Sequence, residues 1–141
     1  MAIGHRPSEK FMGDLQLLNA THIFTLLAES EGALKIKFAT EKAGLEWVWY
    51  PMSHAEPPEG SRLEELINVF SVIKGLLSNG SIIYMHCSAG IHRTGMISLA
   101  LLTYMGYDRE QALALDTLKT LRTVTSQNIG EHRQEWALSS F

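Results

Sequence analysis

The sequence predicts an α/β fold: a parallel-rich central sheet with helices on both faces, in a single domain. Three observations carry that prediction. Strand-like runs alternate with helix-like runs, the pattern of parallel strands joined by crossover helices. The segment His86-Cys87-Ser88-Ala89-Gly90-Ile91-His92-Arg93-Thr94-Gly95 joins a strand directly to a helix through a glycine-containing loop. The chain of 141 residues, 45% hydrophobic and 19% charged, can bury one core and has no room for two.

Taken in order, the elements are these. A short helix is expected around residues 14–19, and Thr21 to Leu27 reads as a buried strand. Ala33 to Lys42 has the pattern of an amphipathic helix closed by Gly44. Leu45-Glu46-Trp47-Val48-Trp49-Tyr50 is aromatic and β-branched, a strand stopped by Pro51. Residues 53–60 are linker-like. Ser61-Arg62-Leu63-Glu64 has the spacing of a capping box, opening a helix whose Leu63, Leu66, Ile67, Phe70, Ile73 and Leu77 keep the 3.6 period until Gly80. Ser81 to Met85 is a short apolar strand, and Met96 to Leu102 an apolar helix ended by Gly106. Asp108 to Gln111 repeats the capping spacing for a helix to about Leu121, and a last helix is expected from Ile129 to Ser139. No internal repeat or low-complexity tract interrupts the series.

Composition excludes several function classes. A formal net charge of −3 argues against a general nucleic-acid or membrane-surface binder. Met1 to Pro7 lacks the apolar core of a signal peptide, and no apolar run is long enough to span a bilayer. A single cysteine forms no internal disulfide, which suits a reducing cytoplasm. A monomer is expected. The six histidines are scattered and one cysteine gives no zinc spacing, so neither a metal nor a cofactor is implied.

The chemistry converges on residues 86–95. A strand, a tight loop and a helix N-terminus present a nest of backbone N–H groups suited to a dianion. The same dipoles stabilise a thiolate at Cys87. Arg93 at the helix start can grip two phosphate oxygens in a bidentate fork. Thiolate attack on phosphorus is the chemistry implied.

This run resembles the signature loop of the cysteine-dependent protein tyrosine phosphatase superfamily, H-C-x-x-G-x-x-R-[ST]-G. Every fixed position matches: His86, Cys87, Gly90, Arg93, Thr94 and Gly95. Beyond the loop, the order of elements is similar to that of the small, atypical dual-specificity phosphatases, though the N-terminal edge is short and leaves the family's first strand vestigial or missing. The resemblance implies a phosphatase-like sheet, with Cys87 as nucleophile passing through a phosphocysteine. Arg93 and the loop N–H groups of Ser88, Ala89, Gly90, Ile91 and His92 would bind the phosphate. Thr94 would stabilise the departing sulfur, and His86 would order the loop. Substrates would be phosphorylated proteins or small-molecule phosphate esters.

Two departures stand out. His92 occupies a place where many relatives carry Gly or Ser, and an imidazole there would add positive charge over the pocket at mildly acidic pH. Plant and fungal phosphatases of inositol pyrophosphates share a His-Arg-Thr-Gly ending, which keeps inositol polyphosphates and phosphoinositides open as substrates. The family's acid, an aspartate some thirty residues before the cysteine, is absent: aspartates stand only at positions 14, 108 and 116. Residues 50–58 keep the proline frame of the acid loop, and in that frame His54 falls at the acid position, with Glu56 as the alternative. A phosphate-recognition module with little turnover is the rival reading that the missing aspartate raises.

Overall fold

The computed structural model describes residues 1–107 and 111–141. It contains four strands, β1 (Ala2–Gly4), β2 (His22–Leu27), β3 (Glu46–Met52) and β4 (Ile83–His86). Among the described residues seven helices surround them: α1 (Glu9–Leu17), α2 (Ala33–Lys42), α3 (Gly60–Ser78), α4 (His92–Tyr104), α5 (Gln111–Leu121), α6 (Thr123–Gln127) and α7 (Glu131–Ser139). The sheet is wholly parallel in the order β1-β4-β2-β3. The expected helix-covered parallel sheet is therefore present, and β4 lies inside it, where such sheets put their ligand loops.

Two apolar clusters flank the sheet. On one face Phe24, Leu26, Leu66, Phe70, Ile73, Met85 and Ile97 pack together; on the other, Met12, Leu15, Ile23, Leu27 and Ile36. Every residue of α4 from Thr94 to Thr103 is buried, because the helix runs between the sheet and an outer helical layer. That placement explains why its sequence is apolar all round rather than striped. Among the described residues no helix is long and apolar enough to cross a membrane.

Several expectations need correction. The first strand is present: Ala2, Ile3 and Gly4 pair with Tyr84, Met85 and His86. Helix α1 begins at Glu9, five residues ahead of the expected start, because the Ser8 side chain caps it by accepting from the Phe11 N–H at 3.2 Å. Ser61 is not a cap. Helix α3 already begins at Gly60, and the Tyr50 hydroxyl fixes its first turn by donating to Arg62 O at 2.8 Å. Strand β3 continues through Pro51 to Met52, which is tolerated because β3 is an edge strand with one unpaired side. Helix α6 has no counterpart in the sequence reading, and the capping device expected at Asp108 lies outside the described residues.

Candidate active site

Strand β4 delivers Cys87 to the base of the loop, 3% exposed. The Gly90 N–H donates to Cys87 Sγ at 3.2 Å. Burial pushes the thiol upward, but hydrogen bonds from the Thr94 hydroxyl and from the N–H groups of Thr94, Gly90 and Ile91 outweigh it, and the net shift is downward. The Thr94 hydroxyl is fully buried beside the thiol and, among the described residues, has no partner of ordinary hydrogen-bond geometry, so its proton is free to turn to the sulfur. Gly90 has φ +68, and a Cβ there would collide with Gly4 O and His5 N. The end of β1 therefore presses against the loop, and the Arg6 N–H donates to Ser88 O at 3.0 Å. The short first strand is part of the site's frame.

Arg93 is held from behind. Its Nη1 donates to Glu31 Oε2 at 2.6 Å and to Met52 O at 2.6 Å, and its Nη2 to Glu31 Oε1 at 2.8 Å. The bidentate bond from Arg93 holds the Glu31 carboxyl below its usual range, and the same pairing raises Arg93. Glu31 lies after β2 in a 3-10 turn, with its Oε2 also accepting from the Ala28 N–H at 3.0 Å.

His86 is fully buried and its partners assign its tautomer. Nδ1 lies 2.9 Å from Cys87 O, which can only accept, so Nδ1 carries the proton. Nε2 is then an acceptor, and Thr25 donates to it across 3.0 Å. Thr25 Oγ1 in turn accepts from Trp47 Nε1 at 2.9 Å. Burial, first of all, pushes the imidazole down to about 4, so His86 is a neutral structural group.

Above the sulfur opens a cavity of about 270 Å³ lined by Ser53, His54, Ala55, Cys87, Ser88, Ala89, His92 and Arg93. His54 thus shares a cavity with the thiol. Glu56 does not line it; its side chain is 72% exposed and lies 3.9 Å from Arg133 Nη2.

A family model for a DSP-PTPase phosphatase of polymorphic toxin systems matches residues 5–107. The chain belongs to this family. It is a cysteine-dependent phosphatase, a phosphoric monoester hydrolase. Three solved phosphatases share the fold. Tk-PTP in its active form has a TM-score of 0.73 at 21% identity, over 96% of this chain and 86% of that one. Kinase-associated phosphatase, solved with its catalytic cysteine replaced by serine, gives 0.79 at 19%, over 96% and 76%. PTPMT1 gives 0.69 at 19%, over 98% and 86%. No curated protein matches the chain in sequence.

For this DSP-PTPase chain, the structure brings together Cys87, residues 88–93 and His54, and leaves Glu56 aside. Sequence reasoning missed Glu31, Thr25 and Trp47. They lie some forty to sixty residues before the loop, and no local spacing marks them; only the pairing of β2 with β4 and β3 makes them neighbours.

Proposed function

We propose that the chain hydrolyses phosphate monoesters through a phosphocysteine on Cys87, with His54 as the general acid. The single observation that carries this reading is the shared cavity: a buried thiol at its floor, with Arg93 and His54 in its wall. In the first step Cys87 Sγ forms the S–P bond, the ester P–O bond breaks, and a proton from the His54 imidazolium passes to the leaving oxygen. Arg93 and the loop N–H groups hold the equatorial oxygens, where charge develops. In the second step water attacks phosphorus, His54 takes its proton, and the S–P bond breaks with the Thr94 hydroxyl steadying the thiolate.

The substrate is a phosphorylated protein or a small-molecule phosphate ester. A second reading, an inositol polyphosphate or phosphoinositide, is favoured by the wall: two serines, two histidines and two alanines around the thiol and Arg93, with no Phe, Tyr or Trp among the described lining residues to stack on a phenyl ring. PTPMT1, a structural relative at 17% identity, was solved with PI(5)P. Turnover of phosphopeptides, phosphoinositides, inositol polyphosphates and p-nitrophenyl phosphate by purified protein tests both readings. Turnover of none of them, or turnover retained by Cys87→Ser, would overturn the mechanism.

A further inference from the structure

We infer that Arg122 and Thr125, outside the signature loop and beyond the segment that defines the family, are positioning residues that aim the loop's N–H groups at the sulfur and the phosphate.

The argument starts from the peptide plane. In a trans peptide the C=O of one residue and the N–H of the next point in opposite directions, and among the described residues no cis bond occurs. Whatever pulls a loop carbonyl outward therefore turns the following N–H inward. Arg122 Nη1 donates to Ala89 O at 3.2 Å and to Gly90 O at 2.6 Å. The Thr125 hydroxyl donates to the same Gly90 O at 2.7 Å and accepts from Arg122 Nη1 at 3.2 Å. The two N–H groups that follow these carbonyls belong to Gly90 and Ile91. Gly90 N–H points at Cys87 Sγ, and both groups help to lower the thiol.

The local backbone supports the same reading. Helix α5 ends at Leu121 and α6 begins at Thr123, with Arg122 between them extended at φ −164 and ψ 106. Helix breaks ordinarily trace to proline, glycine or an inserted group, yet no proline or glycine occurs from Gln111 to Gln127. The break instead lets Arg122 reach the loop and buries Thr125 completely. Gly95, at the start of α4, leaves room for this segment: a Cβ there would lie 3.0 Å from Thr125 Cγ2 and 2.7 Å from Ile129 Cγ1. The family model stops at residue 107, so the last part of the chain supplies aim that the signature itself lacks.

The inference rests on the phosphatase reading of the loop, and its test separates the two. Cys87 is the only cysteine, so its pKa can be read from the pH dependence of iodoacetamide alkylation without any turnover. Thr125→Val keeps the shape and removes the hydroxyl; Thr125→Ser restores it; Arg122→Met keeps much of the length and removes the donors. Thr125→Val should raise the thiol pKa by roughly half a unit or more and lower kcat/KM on p-nitrophenyl phosphate about tenfold. Thr125→Ser should stay within about twofold of wild type, and Arg122→Met should exceed Thr125→Val on both readouts. If the segment only docks the C-terminal helices, Thr125→Val lowers Tm and leaves the alkylation profile unmoved; that result overturns the inference. Should Arg122→Met fail to fold, the near-isosteric Thr125 pair decides alone. A wild-type protein without turnover but with a depressed thiol pKa would sink the phosphatase reading and leave the clamp measurable.

Discussion

Replacing Arg93 by lysine keeps the charge and removes the fork. A guanidinium carries five N–H groups. Three are committed to the protein, two on Nη1 to Glu31 Oε2 and Met52 O and one on Nη2 to Glu31 Oε1. The Nε hydrogen and the second Nη2 hydrogen remain, side by side on one edge, the geometry that meets two phosphate oxygens at once. Lysine has a single nitrogen for both tasks. If it stays with Glu31, both bonds to phosphate go, each a charge-assisted bond of about 1.5–3 kcal/mol. The sum, roughly 3–6 kcal/mol, corresponds to a fall in kcat/KM of about 10²–10⁴. The assay is p-nitrophenyl phosphate hydrolysis by Arg93→Lys, whose fold is checked by circular dichroism and Tm. A companion, Glu31→Gln, removes the ion pair and leaves Arg93 free to drift, so it should also lose activity, chiefly in kcat. An Arg93→Lys variant within about fivefold of wild type would refute the reasoning, because the fork would then contribute no more than a diffuse charge.

Further outcomes follow from the same geometry. Iodoacetate should label Cys87 faster than a free cysteine at neutral pH, with phosphate or vanadate protecting it; slower labelling would contradict a stabilised thiolate. His54→Ala should depress hydrolysis of phenyl phosphate, a poor leaving group, at least about tenfold more than that of p-nitrophenyl phosphate, whereas Glu56→Ala should spare both. Equal small effects of the two would remove the acid from this loop. His86 adds a pH dependence to stability. Its folded pKa of about 4 lies below the unfolded value near 6.5, so the unfolded chain binds the extra proton between them. Stability should fall by up to about 3 kcal/mol as pH drops through that window, and a His86→Gln variant should lose that slope in urea titrations. An identical slope in both proteins would contradict a buried neutral imidazole.

Much of this protein is readable from its sequence because the decisive information is local. The strand, loop and helix of residues 83–104 follow from an apolar run, two glycines and a second apolar run, and Cys87 and Arg93 are six residues apart. His54 follows from a proline frame, and the cavity places it beside the thiol. What the tertiary structure alone decided is how that loop is held. Glu31 behind Arg93, Thr25 and Trp47 behind His86, Gly4 against Gly90 and Arg122 beneath the loop carbonyls all come from distant segments. None carries a spacing signal, since each acts through one or two directional hydrogen bonds or one close approach. Such contacts exist only after strand order has been fixed. The break between α5 and α6 has the same origin: nothing between Leu121 and Thr123 interrupts a helix locally, but Arg122 is extended where its side chain reaches the loop. Short-range propensity selects the elements and the reactive residues, while long-range directional bonds, formed on burial, set the aim of the groups that surround them.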